Sequence, residues 1–346
     1  MRDLKFREES IVKKIAKIRS EIGHKPVESN IIRVLFDDKN NDLVIVAADR
    51  SDKSNIIGKG GWVVGRLKEE LGVKSIHVVS NSDIILRRYN MELSLTKLKS
   101  VINIYNKENP LNNLKILLKY RMEHIYNFNF KNFMETNFYK ESEQNQAVVA
   151  LSGGVDSSFS LILAKYMGFN PVAVTVDPGS IILPKHFHFN IDNLCHDLGV
   201  EHHYITVKMD EIIEESLEGK YHPCGRCSKI IEDTVIEYAK KMDIPMVIYG
   251  DMLSSGSQSI LCENKLIKIN LPALLSVTKS EIKNLTLKLG IKGSGFYGCP
   301  LLFEVHKKYP HMKKFSLQRI FRETRAGALE PGEALDLAWN LFKKGK

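Results

Sequence analysis

A chain of 346 residues, 43% hydrophobic and 26% charged, has the composition of a globular protein and the length of two or three domains. Its formal charge of +9 suits a polyanionic partner, though charge alone says nothing of fold. No apolar run approaches the roughly 20 residues that span a bilayer. The opening Met1-Arg2-Asp3-Leu4-Lys5-Phe6 lacks the apolar core of a signal peptide, so a cytoplasmic protein is expected.

Residues 8–22 predict a helix, with Ile11, Ile15 and Ile18 at helical spacing. Two strands, 31–36 and 43–48, follow around a polar turn. Next, Gly58-Lys59-Gly60-Gly61 forms a Gly-x-x-Gly turn between two helices, ahead of a strand at 75–79. This stretch resembles a KH domain, here bounded at 28–90 behind an N-terminal helix at 1–27. The resemblance implies an RNA-binding loop at Gly58, Lys59, Gly60 and Gly61. Glycine lets the backbone turn tightly against a nucleic-acid backbone, and Lys59 puts a charge at the tip. An unrelated α+β module with a helical hairpin fits the same pattern.

Residues 91–145 read as a helical connector. Its aromatics, among them Tyr105, Tyr120 and Phe130, interleave with Lys107, Lys119 and Arg121. Such interleaving serves RNA stacking, but packing inside the connector is the favoured reading. A polar linker at 140–146 leads out of it.

The apolar run Ala147-Val148-Val149-Ala150-Leu151 then ends in Ser152-Gly153-Gly154-Val155-Asp156-Ser157-Ser158, and an amphipathic helix follows. Strand, glycine turn and helix N-terminus form a phosphate-binding geometry. Ser152, Ser157 and Ser158 add hydroxyl donors. The lysine of a Walker A loop is absent. The motif resembles that of the PP-loop ATP pyrophosphatases, a family that grips the pyrophosphate of ATP and transfers AMP to a carbonyl oxygen. The resemblance implies that Ser152, Gly153, Gly154, Asp156 and Ser157 bind ATP, with Asp156 also catalytic.

Beyond the motif, strands at 172–176, 203–207 and 246–249 alternate with helices. That rhythm predicts an α/β fold with a doubly wound parallel sheet, HUP-like if the PP-loop resemblance holds, over residues 146–300. Ligands of such sheets sit at the carboxyl ends of the strands, where Asp177 and Gly250-Asp251 should join the 152–158 loop as ATP-binding residues.

Five cysteines in so long a chain argue against a disulfide framework and raise metal or sulfur chemistry. Cys224 and Cys227 share a tight turn before a helix, where the helix N-terminus and Arg226 are expected to favour thiolates. Cys299 stands in the glycine-rich stretch 293–300. Cys195 and Cys262 are expected to be buried apolar residues in a helix and a strand. The PP-loop, the Cys-x-x-Cys and the later cysteine together resemble the iron–sulfur branch of PP-loop tRNA sulfurtransferases, the 2-thiouridine synthases of archaea and thermophiles. Uncharacterised archaeal PP-loop proteins assigned to tRNA thiolation are a closer match. The resemblance covers residues 146–300 and implies a [4Fe–4S] cluster on Cys224, Cys227 and Cys299, all three catalytic, with one iron open to sulfide. The chain departs from that branch in lacking terminal Cys/His zinc modules. It also reads Tyr249-Gly250-Asp251-Met252-Leu253-Ser254 where Gly-His-x-x-Asp-Asp is usual. A structural zinc site with His222 as a further ligand, or a redox pair, remains open.

The tail, 301–346, is basic with interspersed aromatics and fits either a phosphate-tracking surface or a solvated amphipathic helix. The resulting expectation is an ATP- and Mg²⁺-dependent tRNA sulfurtransferase. It would adenylate a nucleobase carbonyl, release pyrophosphate and AMP, and replace oxygen with sulfur. Its partners would be tRNA or another structured RNA and a sulfur donor, either sulfide or a carrier protein; a homodimer is left open. Two other functions fit: a PP-loop ligase or amidotransferase on a small molecule with structural zinc, and a non-catalytic RNA-binding protein.

Overall fold

The computed structural model describes residues 6–25, 27–104, 110–137, 139–291 and 297–342. Tyr105, Lys107 and residues 293–296 of the glycine-rich stretch lie outside them. The chain forms two compact units, Met1–Arg88 and Tyr89–Lys346.

In the first unit α1 (Glu8–Glu21) precedes β1 (Ile31–Asp37), β2 (Asp42–Ala47), α2 (Arg50–Ile57), α3 (Trp62–Leu71) and β3 (Ser75–Ser80). The sheet order is β1-β2-β3, antiparallel between β1 and β2 and parallel between β2 and β3. Ile11, Ile15 and Ile18 lie on one stripe of α1 and are buried with Leu43 and Ile45 of β2 and Val63 and Leu67 of α3. Asp49 starts α2 by accepting from the amides of Ser51 (2.8 Å) and Asp52 (3.0 Å). Between α2 and α3, Gly58, Gly60 and Gly61 take φ of 73°, 63° and 77°. A Cβ at Gly58 would stand 2.2 Å from Val63 Cγ2, so the turn accepts no other residue there. Trp62, which opens α3, is 68% exposed.

The second unit begins within α4 (Asn81–Ile104) and continues through α5 (Pro110–Glu123) and α6 (Phe130–Thr136) into β4 (Gln146–Ala150) and α7 (Val155–Tyr166). Then come β5 (Asn170–Asp177), α8 (Lys185–Leu198), β6 (Glu201–Thr206), α9 (Asp210–Leu217), α10 (Cys224–Lys241) and β7 (Met246–Tyr249). The hairpin β8 (Ile260–Glu263) and β9 (Leu266–Asn270) follows, then α11 (Leu271–Leu274) and α12 (Lys279–Thr286). Last are α13 (Pro300–Lys308), α14 (Lys313–Arg325) and α15 (Pro331–Phe342). Among the described residues no helix is long and apolar enough to cross a membrane.

The six strands are ordered β6-β5-β4-β7-β9-β8, parallel throughout except at the β8–β9 edge. Alternate residues of β4 serve opposite layers. Val148 pairs with Val172 and Val247 and packs toward Val235 and Ala239 of α10. Ala147 and Val149 pack with Phe159 and Ile162 of α7 and with Leu114 and Phe130 of α5 and α6. Helices on both faces explain why β5 is buried without alternation from Pro171 to Val176. The connector aromatics Phe130 and Phe133 are buried in the same core. Strand order reverses at β4, with β5 and β6 to one side and β7 and β9 to the other. The α/β sheet wound on both sides is thus present, with an antiparallel edge strand added. The tail helices pack on this unit: Leu301, Val305 and Met312 bury against Ile181, Ile213 and Leu217. In α14, Ile320 is fully buried while Phe315 and Phe321 are exposed.

Arg121 of α5 ties the helical layer to the turn before α12. It is 3% exposed. Its Nε donates to the Leu275 carbonyl (2.8 Å), and its two terminal nitrogens donate to Glu281 Oε1 (2.7 Å) and Oε2 (2.9 Å). The guanidinium also lies against Phe128 and Phe130, 4.8 and 5.1 Å from their ring centroids. Two parallel charge-assisted bonds hold the pair in one geometry. Removing one partner of a buried pair leaves the other uncompensated. Arg121→Met should therefore cost about 3 kcal/mol by denaturant unfolding. A loss below about 1 kcal/mol would show that Glu281 is adequately solvated without it.

Candidate functional site

At the carboxyl end of β4 the chain turns sharply into α7. Gly153 takes φ 71°, and a Cβ there would stand 2.8 Å from the Phe187 carbonyl oxygen on α8. Ser157 Oγ knits the loop: it accepts from the Ser152 amide (3.1 Å), lies 3.1 Å from Ser152 Oγ and donates to the Gly154 carbonyl (3.1 Å). Gly250, just past β7, runs against the first turn of α7. A Cβ at Gly250 would lie 2.7 Å from the Ser157 amide nitrogen and 2.8 Å from the Asp156 carbonyl carbon. The 152–158 loop therefore sits at the carboxyl ends of the paired strands β4 and β7, where strand order reverses and open α/β sheets place their ligands.

Two oxygens of this loop, Asp156 Oδ1 and Ser158 Oγ, are buried with no hydrogen-bond partner among the described residues. Buried polar atoms are ordinarily satisfied. Asp156 Oδ2 is paired with Lys279 Nζ at the start of α12. Asp177 ends β5, accepts from the Gly179 amide (2.9 Å) and faces His188 Nε2 at 3.3 Å. Asp251 turns inward: its carboxylate accepts from the amides of Leu253 (3.3 Å) and Ser254 (2.9 Å) and from the Ser254 hydroxyl. It shapes its own loop as an Asx turn. Lys279 does not stand out in the sequence. The capping box of Thr278 and Glu281 is legible there, but it marks a helix start and not a partner for Asp156.

Cys224 and Cys227 occupy the first turn of α10, and Cys299 is the N-cap of α13. Burial pushes the Cys224 thiol up to about 11, Cys299 adds to the shift, and Arg319 opposes it. Burial pushes Cys227 up to about 11 as well, again with a contribution from Cys299. Burial also raises Cys299. Burial therefore works against the expected preference for thiolates. Loss of solvent outweighs the helix terminus, and Arg226 stacks over Tyr221, 3.7 Å from its ring centroid. Cys299 is nevertheless close enough to act electrostatically on both other thiols. Among the described residues no group of three or more His, Cys, Asp or Glu side chains stands in metal-holding geometry. His222 lies against His306 and Phe315, with ring centroids 5.6 and 5.2 Å away, and burial lowers its pKa. Cys195 is buried in α8, and burial, with Asp192 adding, pushes its thiol up to about 12. Cys262 is exposed, contrary to expectation, because β8 is the sheet's edge strand.

Fold and loop together define an α/β protein whose Ser-Gly-Gly-x-Asp-Ser turn joins a central parallel strand to the helix after it. The chain belongs to the same family as the uncharacterized protein MJ1638 of Methanocaldococcus jannaschii, with which it is 36% identical over 252 residues, 72% of this chain and 94% of that one. It is also 25% identical over 243 residues to the tRNA-specific 2-thiouridylase MnmA 1 of Fusobacterium nucleatum. Against that protein the aligned part spans 63% of either chain. The U34-tRNA thiolase NcsA from Methanococcus maripaludis, solved with its [4Fe-4S] cluster, superposes on 62% of this chain and 79% of its own, with a TM-score of 0.36 and 16% identity. No family model matches the chain.

Gly250→Ala should move the first turn of α7, because both obstructing groups are backbone. We expect a loss of about 1–3 kcal/mol, together with loss of nucleotide binding by calorimetry. Gly332→Ala, whose Cβ would meet nothing within 4 Å, is the control and should be neutral. Normal nucleotide binding by Gly250→Ala would remove β7 from the site.

Proposed function

We propose that the chain is an ATP-dependent tRNA sulfurtransferase that activates a nucleobase carbonyl by adenylation. The observation that carries this reading is the Ser-Gly-Gly-x-Asp-Ser loop at the carboxyl ends of β4 and β7, with Asp156 Oδ1 and Ser158 Oγ buried and unsatisfied within it. The similarity to a tRNA-specific 2-thiouridylase supports the substrate class.

The loop amides at the start of α7, with Ser152, Ser157 and Ser158, take the pyrophosphate of ATP. Asp156, whose Oδ1 is buried without a hydrogen-bond partner among the described residues, would hold the Mg²⁺ that such a polyphosphate carries. Asp177 flanks the nucleotide, Gly250 lets the first turn of α7 come close to the end of β7, and Asp251 fixes the neighbouring loop. The nucleobase oxygen attacks the α-phosphorus and pyrophosphate leaves with the bonding pair. AMP is then the leaving group when sulfur takes the carbon. Without this step the carbonyl would have to expel an oxide.

We assign Cys224, Cys227 and Cys299 as the ligands of an iron–sulfur cluster: the three thiols come from two helix starts and act electrostatically on one another, and closing them into a metal-holding group takes a rearrangement from the arrangement seen among the described residues. Metal binding would displace their protons, and burial that disfavours free thiolates would then favour a sulfur-bound metal. Bound there, a [4Fe–4S] cluster would supply an iron with a position open to sulfide. In the first unit, the turn at Gly58, Lys59, Gly60 and Gly61 is the proposed clamp on RNA backbone, in the manner of a KH loop.

Anaerobic purification with iron and sulfide analysis tests the sulfur half of this reading. We expect about four irons per chain. Each of Cys224→Ala, Cys227→Ala and Cys299→Ala should lose the cluster and thiolation, while Cys195→Ala and Cys262→Ala retain both. Zinc in place of iron, or a full cluster in Cys299→Ala, would overturn it. Independently, Lys59→Asp with Gly60→Asp should weaken tRNA binding and flatten its salt dependence.

A further inference from the structure

We propose that the exposed face of α14 is an RNA-binding surface that seats an unpaired stretch of the substrate beside Cys224 and Cys299. The inference rests on the reading of the chain as a tRNA-modifying enzyme. Lys314, Gln318, Arg322 and Arg325 follow one another at spacings of four, four and three, which puts them on one side of the helix. All four are exposed. Ser316, Ile320 and Glu323 lie on the opposite side and are buried. The row from Lys314 to Arg325 runs about 16 Å along the helix axis. Phe321 flanks it with its apolar ring 53% exposed.

One sign of charge fills this face. The helix carries five cations and a single carboxylate, Glu323, which is 5% exposed and accepts from Arg319 Nε at 3.0 Å. Among the described residues that leaves Lys314, Arg322 and Arg325 without an ion-pair partner. A helix that is merely solvated ordinarily mixes its charges and pairs them at i,i+4, as Lys229 and Asp233 do on α10. Unpaired guanidinium groups beside an exposed aromatic ring fit a phosphate backbone and an unstacked base. Duplex RNA would give the ring no base to stack on, so the fitting ligand is a loop or an unpaired strand.

Its place in the fold sets this face apart from other basic surface, because α14 is tied to both cysteine-bearing segments. Phe315 lies against His222, two residues before Cys224, with ring centroids 5.2 Å apart. Tyr297, two residues before Cys299, donates its hydroxyl to the Ser316 carbonyl (3.4 Å). Arg319, one turn beyond Phe315, acts electrostatically on Cys224. A strand held along Lys314, Arg322 and Arg325 would therefore bring a neighbouring base to the edge of the thiol site.

Fluorescence anisotropy of the full chain with labelled unmodified tRNA and with a labelled RNA stem–loop, across a salt series, tests the surface. The triple change Lys314→Gln, Arg322→Gln and Arg325→Gln should weaken binding about tenfold or more and reduce the slope of log K against log salt by about 2. Phe321→Ala should weaken stem–loop binding at least about fivefold with the slope unchanged, and Phe321→Trp should restore it. As a control, Lys119→Gln, Lys240→Gln and Lys241→Gln remove the same charge from other exposed positions, and affinity should change less than about threefold. Thermal melts establish that each variant is folded. Should the triple variant unfold, Arg322→Gln alone, with a slope reduced by roughly 0.7, carries the same comparison. Wild-type affinity and slope in the folded variant, or an equal loss in the control, would overturn the α14 surface and leave the tRNA reading standing. Binding of the wild type to anionic lipid vesicles through these residues, with tRNA binding indifferent to them, would give the face to a membrane instead. Absence of tRNA binding by the wild type would overturn both the surface and the tRNA reading.

Discussion

The carboxyl end of the sheet in the second unit depends on how closely two backbones approach. The end of β7 and the first turn of α7 are near enough that a single methyl group at Gly250 would penetrate the amide of Ser157. That closeness presses the end of β7 against the first turn of α7 and restrains the loop amides there. Ser157 then locks the turn from inside with bonds at 3.1 Å to Ser152 and Gly154. A site made of backbone amides has no side chain to adjust, so its rigidity must come from packing. Helices on both faces of β4 supply that packing.

A second constraint is electrostatic. Asp156, the three thiols and the Arg121–Glu281 pair all lie where solvent is scarce. Burial raises the thiol pKa values more than nearby cations lower them. Burial lowers the pKa of Arg319, but Glu323 at 3.0 Å, Tyr297 and Cys224 together raise it, so a positive charge stands beside Cys224. Such a charge favours the thiolate once a ligand displaces the proton.

What the sequence reveals and what it hides follows from contact range. The strand, glycine turn and helix at residues 147–166 are local, and local chemistry is written in consecutive residues. The alternation of strands with helices likewise predicts the doubly wound sheet. Lys279 and Asp156 are 123 residues apart, and Arg121 and Glu281 are 160 apart, so no spacing rule joins them. Burial at the edges is hidden for the same reason. Cys262 reads as an apolar strand residue, but its strand is the last of the sheet and nothing covers it. For Cys224 and Cys227 the helix start is legible in Pro223 and the run after it. How deeply that start is buried is set elsewhere: Cys227 packs with Met209 and Ile212 at α9, and Cys224 lies near Cys299 and Arg319 from much later in the chain. The Gly58–Gly61 turn is legible as a turn, since all three of its glycines adopt positive φ, but its ligand is not written in that geometry.

The central claim is that the 152–158 loop holds ATP by its pyrophosphate, so that AMP is what leaves. Incubation of the anaerobically purified protein with unmodified tRNA, a sulfide source, Mg²⁺ and ATP labelled at either the α- or the γ-phosphate tests it directly. The account predicts that α-label appears as AMP and γ-label as pyrophosphate, one of each for every thionucleoside formed. Label released as ADP and inorganic phosphate would contradict it.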